Sequence, residues 1–221
     1  MKISTDILKV NRQKLLNAFP TDLKQDVEIV ADFLLDKNFD IHPTVEQEII
    51  LNGQKLIIPG RVYFDNPNET TGNNLTFTQQ IILNCIYLRH HNGFIRQQRL
   101  EKLIDNIDDY FVIPYIFQLL GEYVMEILEV ADKHINDKTI NNYLKFFTEN
   151  PKYRQQTESR MISYWDVYYR RTKYKKLNEY IGQQIFNRIK KSERTITRVS
   201  LGLQSPHPSD SEQMNTYKKT N

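Results

Sequence analysis

Residues 76–104 read TFTQQIILNCIYLRHHNGFIRQQRLEKLI, and this stretch decides the fold class. Ile81, Ile82, Cys85, Ile86 and Leu88 recur at helical spacing behind a start at Thr76 or Thr78. His90-His91-Asn92-Gly93 then ends that helix with a glycine stop. A second helix runs from Gly93 to Ile104, with Phe94, Ile95, Leu100, Leu103 and Ile104 as its apolar positions. Ile113 to Ala131 reads as a third, broad-faced helix, in which Pro114 is acceptable because the first helical turn has no use for its missing N–H.

The same period extends outward. Residues 4–18 carry Ile7, Leu8, Leu15 and Leu16 behind Ser/Thr/Asp cap candidates. After Pro20, the stripe Leu23, Val27, Val30, Phe33 and Leu34 predicts a second helix paired with the first. Residues 46–64 change character. Glu48 to Leu51 and Gln54 to Ile58 flank Asn52-Gly53, the dipeptide that tolerates the positive φ angles of a two-residue hairpin turn. Arg61 to Phe64 is a candidate third strand, and 65–75 reads as an exposed loop. Further on, 138–150 reads as a short helix stopped by Pro151, and one or two helices follow between Tyr153 and Lys191, bent near Lys176 or Gly182. From Ser192 the composition turns to Ser, Thr, Pro, Gln and Asn, which predicts a disordered tail over 192–221. The expectation is a mainly α packed helical domain over residues 1–191, with a small antiparallel β-hairpin insertion and that tail.

Composition bounds the function classes. The 221 residues are 39% apolar and 26% charged, which suits one modest core. A single cysteine, Cys85, excludes an internal disulfide and a cysteine-based zinc cluster. Met1 to Asp6 lacks the apolar run of a signal peptide, and the longest apolar run, Phe111 to Leu120, is ten residues against the about 20 a bilayer requires. An intracellular, cytoplasmic protein without a transmembrane segment is therefore expected.

The net charge of +3 hides a division. Residues 1–149 hold 15 basic and 21 acidic side chains, whereas 150–200 hold 13 basic and only four acidic, a local +9 able to attract an anionic partner. Aromatic rings interleave with that charge. Arg170, Arg171, Lys173, Lys175 and Lys176, with Tyr168, Tyr169 and Tyr174, are the candidate binding residues for nucleic acid or a protein partner. In nucleic-acid binding the cations would neutralise phosphates and the rings would stack on bases. The alternative is that Met161, Tyr164, Trp165, Tyr168 and Tyr169 form a helical packing stripe while the Lys and Arg heads reach into water.

Two resemblances bear on the middle of the chain. Gly93-Phe94-Ile95-Arg96 through Leu103, followed by Val112-Ile113-Pro114-Tyr115-Ile116 and Leu119-Leu120, resembles a HEAT-type helical repeat over residues 93–132. Tyr123-Val124-Met125-Glu126 is an imperfect echo of Phe94 to Gln97, in which Met125 stands where the arginine would be. The run Leu83 to Arg96 with Leu119 to Val124 also resembles a bacterial protein family of unassigned function. That resemblance implies a helical region and no activity.

Chemistry-bearing clusters are few. Arg89-His90-His91-Asn92 lies one to two turns after Cys85, so a Cys–His nucleophile pair is conceivable, although the apolar neighbours of Cys85 favour a core role. Adjacent histidines on a helix diverge by about 100°, so a zinc site would need His42 or His134 as well. Glu46 and Glu48 invite comparison with a Mg²⁺ nuclease, but the acid-x-Lys partner is missing. No GxxxxGK[ST], GxGxxG, HExxH or GxSxG occurs. No catalytic residue, metal or cofactor is expected; the leading expectation is an interaction module binding a macromolecular partner, and the alternative is a nucleic-acid-binding protein.

Overall fold

The structure, a computed structural model, describes residues 5–35, 40–41, 46–63, 65, 72–104 and 109–200. Among these, nine α-helices and two short antiparallel strand pairs form one packed unit. Helices α1 (Thr5–Leu16) and α2 (Lys24–Leu35) form the expected hairpin, tied by Arg12 Nε to Asp32 at 2.9 Å. Strands β2 (Glu46–Leu51) and β3 (Gln54–Pro59) pair around Asn52 and Gly53, whose φ angles of 51° and 76° are those the Asn-Gly dipeptide supplies. Val62–Tyr63 (β4) does not extend this hairpin. It pairs instead with Asp40–Ile41 (β1), because Pro59-Gly60 turns the chain away.

The hairpin is wedged between the amino-terminal helical pair and the segment around residue 150. On one side Ile57 N–H donates to the Asn17 carbonyl of the α1–α2 link at 2.9 Å. On the other, helix α7 (Ile140–Glu149) ends at Asn150, whose side chain imitates a strand. Its Oδ1 accepts from Ile50 N–H at 2.8 Å, and its Nδ2 donates to Ile50 C=O at 2.7 Å.

Helices α3 (Phe77–Tyr87) and α4 (Gly93–Ile104) fall where the sequence places them, with Thr76 and Gln79 forming a reciprocal cap at the start of α3. Residues 81–90 are buried without interruption. The expected third helix over 113–131 is two helices. These are α5 (Ile113–Leu119) and α6 (Met125–His134), separated by a bend over residues 120–124. Gly121 sits under α8 (Pro151–Tyr164), where a Cβ would lie 3.3 Å from Thr157 Cγ2, and Glu122 turns inward. A straight helix would satisfy neither placement.

Pro151 opens α8 rather than merely stopping α7. A single π turn over 165–169 follows, closed by Arg170 N–H to Trp165 C=O at 2.9 Å. The chain is then irregular until α9 (Ile181–Ser200), apart from a short 3₁₀ turn at Leu177–Glu179. The helical break therefore falls between the π turn and α9, and Gly182 lies inside the first turn of α9. Helix α9 also carries regular structure nine residues into the segment expected to be a tail from Ser192; residues 201–221 lie outside the described residues, as do Phe64 and most of the 65–75 loop.

Phe117 on α5 is the aromatic hub. Its ring meets Phe146, Phe147 and Tyr153 edge-on at 5.0 to 5.5 Å, and Phe186 of α9 at 6.0 Å. No helix among the described residues is long and apolar enough to cross a membrane.

Replacing Asn150 by alanine removes both bonds to Ile50, one of them satisfying a half-buried N–H. Chemical denaturation of Asn150→Ala is expected to show a loss of about 1–3 kcal/mol. The buried phenols set an alkaline limit. Burial pushes Tyr115, Tyr143 and Tyr153 above the ordinary value of 10.0. The unfolded chain gives up these protons first, so the native state binds more protons as the pH passes about 10, and stability falls. Burial lowers the pKa of Arg89, Arg96 and Arg99, so these three groups oppose the trend, but more tyrosines than arginines are shifted. The part of the tyrosinate absorbance that belongs to the buried phenols is therefore expected to rise in one step with loss of helical circular dichroism.

Candidate arginine-ringed site and basic surface

Glu122 lies in the bend between α5 and α6, and three guanidinium groups converge on it. Arg61 Nη2, from the β3–β4 link, lies 2.9 Å from Oε1, and Arg96 Nη2, from the first turn of α4, lies 2.7 Å from Oε2. Arg89 Nη1, just beyond α3, lies 3.9 Å from Oε1. Arg89 is only 2% exposed and is held by carbonyls: Nε donates to Pro59 O at 3.2 Å and Nη2 to Gly60 O at 2.5 Å. Burial lowers the Arg89 pKa to about 10, the Glu122 carboxylate opposing the shift, so the group is charged at neutral pH. Arg96 donates to the carbonyls of His90 and His91 at 2.7 and 3.0 Å.

That cluster explains the His-His motif. His90 is buried, with its Nδ1 accepting from Asn92 N–H at 3.1 Å, while exposed His91 stacks on Tyr63 at 5.0 Å. Residues 89–91 pair with Val62 through two backbone hydrogen bonds, so the link between α3 and α4 behaves as a strand. Cys85 is fully buried, and burial pushes its thiol well up, which leaves it a core residue and a poor nucleophile. His134 bonds Tyr143 at 3.0 Å, and His42 lies outside the described residues. Glu46 pairs with Lys14 at 3.0 Å and Glu48 with Lys55 at 2.6 Å, so both carboxylates already have counter-ions.

The basic, tyrosine-rich segment divides. Tyr169, Tyr174 and Tyr180 pack on one another at 5.3 to 6.2 Å, Tyr169 donates to the Tyr123 carbonyl, and Trp165 Nε1 donates to Tyr174 C=O at 2.9 Å. These contacts fold the loop back against α6, so Tyr169 and Tyr174 act as structural supports. Tyr168 is 49% exposed and stacks on Tyr123, itself 50% exposed, at 5.0 Å. Arg170, Arg171, Lys173, Lys175 and Lys176 are all exposed. Arg170 pairs with Asp166 at 2.7 Å and lies over Trp165; among the described residues, none of the other four has a carboxylate within salt-bridge distance.

The five cations that the sequence groups between Arg170 and Lys176 are all exposed, whereas the grouping of Glu122 with its three arginines was missed. These residues are up to 61 positions apart, and each alone resembles an ordinary surface charge. Comparison with protein-family models, curated proteins and solved structures returned no match.

Removing the carboxylate leaves three neighbouring cations around a buried position. Glu122→Ala is expected to destabilise the fold by about 3–5 kcal/mol in equilibrium unfolding, several times the loss at an exposed ion pair such as Asp166→Ala.

Proposed function

We propose that this protein is a non-catalytic interaction module that binds an acidic macromolecular partner on the surface formed by the π turn and the loop over residues 165–176. The observation that carries this reading is the exposure of all five cations between Arg170 and Lys176 on a segment whose own tyrosines anchor it to the α5–α6 bend and to Met125 at the start of α6. An unanchored basic loop would lose conformational entropy on binding; an anchored one presents its charge at lower cost. Val167, 71% exposed, and the Tyr123–Tyr168 pair place an apolar and aromatic rim beside the charge, a composition suited to protein recognition. The burial of Cys85 and His90 argues against the Cys–His enzyme reading.

Nucleic-acid binding is the second reading, favoured by one observation: the Tyr123–Tyr168 stack leaves aromatic surface open to a base next to Arg170. With Tyr169 and Tyr174 engaged in packing, the platform is smaller than the sequence promised.

The test uses the full chain and Arg171→Glu/Lys175→Glu, whose positions lie outside the packed tyrosine cluster. A protein retained by the wild type at low salt and lost from the variant supports the module. Identical captured sets would refute it. Titration of labelled single-stranded RNA and DNA at two salt concentrations addresses the second reading, for which steep salt dependence and a loss of about tenfold or more in the variant are expected.

A further inference from the structure

Gly60 and Arg61, the end of α3 at Arg89, the α5–α6 bend and the α8 face carrying Arg160 and Tyr164 enclose a cavity of about 290 Å³. Ligand sites usually measure about 300–1,000 Å³, so this one, at the lower edge of that range, suits a small anion. Its walls carry a charge surplus. Arg61 and Arg89 line it, Arg96 lies behind Glu122, and the three share a single carboxylate. Arg160 adds a fourth guanidinium with no carboxylate within salt-bridge distance among the described residues, its Cδ lying 3.4 Å from where a Gly121 Cβ would be.

Polar satisfaction points to the same place. Gln118 lines the cavity, is only 7% exposed, and its Oε1 has no hydrogen-bond partner. Leaving such a group unpaired is costly, as is confining like charges, and one ligand relieves both. The arginine forks match a tetrahedral oxyanion, and a surplus above +1 favours phosphate over a carboxylate. Inorganic phosphate at neutral pH also carries an O–H for an acceptor such as Gln118, which sulfate, a carboxylate and the dianion of a phosphate monoester lack.

We propose that this cavity is a phosphate-binding site, its occupant either inorganic phosphate or the phosphate group of a small monoester. The cations of this site are not those of the 165–176 surface, although Tyr123 lines the cavity and also borders that surface. The site holds the charged ends of β3, α3, α4 and α5 together, so phosphate binding stabilises the native state by mass action.

Isothermal titration calorimetry of the full chain at neutral pH, with ionic strength held constant, tests this with inorganic phosphate, glycerol phosphate and sulfate as probes. Saturable binding with Kd of about 1 mM or tighter is expected for at least one phosphate probe, and the tighter of the two identifies the source. Arg160→Gln, an exposed position whose fold is checked by circular dichroism, is expected to weaken binding by about tenfold or more through loss of a charge-assisted hydrogen bond. Arg171→Gln, outside the cavity, leaves affinity within about twofold because exposed charges at that separation are screened. Absence of saturable binding, full affinity in Arg160→Gln, equal losses in the two variants, or sulfate binding as tightly as phosphate would each overturn the proposal.

Discussion

Arg89 has its guanidinium in the interior, and the surrounding architecture follows from what that group requires. Pro59 and Gly60 supply carbonyl acceptors only if the chain turns after β3, and Glu122 supplies counter-charge only if the α5–α6 segment bends inward. An unpaired buried cation is among the costliest states a folded chain can hold. The turn, the bend and the strand-like link between α3 and α4 are thus coupled parts of one solution. Arg61 and Arg96 extend the arrangement to the β3–β4 link and to the first turn of α4. A polar knot of this kind contributes little net stability compared with apolar packing, but it penalises every alternative placement of the segments it joins.

Around that knot the apolar core does the larger energetic work. The α5 helix is buried on all sides, and Phe117 gathers rings from α7, α8 and α9 about it. Asn150 performs the corresponding task for the hairpin, offering an amide where a third strand would offer a peptide group. The hairpin thereby connects the amino-terminal helical pair to α7, instead of projecting from a helical body as an insertion.

The proposed binding surface lies at the junction of α8 and α9, where helical hydrogen bonding widens into a π turn and then lapses. Such local irregularity is common where side chains must be re-aimed. Here it divides a run of similar residues into two groups: tyrosines directed toward α6 and cations directed to solvent. The arginine cavity opens beside that surface: Tyr123, which stacks on Tyr168, and Tyr164 form part of its lining. The two positive regions differ in kind. One is a solvated surface whose attraction is screened by salt, and the other is a confined surplus that salt screens poorly.

Apolar period and turn chemistry were legible from residues alone. The Leu23 to Leu34 stripe, the Asn52-Gly53 turn, the Gly93 to Ile104 helix and the basic segment from Arg170 to Lys176 all depend on interactions within a few residues, which sequence spacing encodes directly. The sequence likewise marked Cys85 as core from its isoleucine neighbours. It failed where burial of a polar group overrode local preference. Residues 113–131 have continuous helical character, yet Gly121 must admit α8 and Glu122 must meet arginines from distant segments, so the helix breaks. The partition of Tyr168 from Tyr169 and Tyr174 was equally hidden, because a π turn shifts every following side chain relative to a 3.6-residue wheel. Sequence alone thus determined which segments are helical and where positive charge concentrates. Tertiary structure alone decided which charges are buried together, because that depends on contacts between residues far apart in the chain, whose desolvation cost exists only once the core has closed.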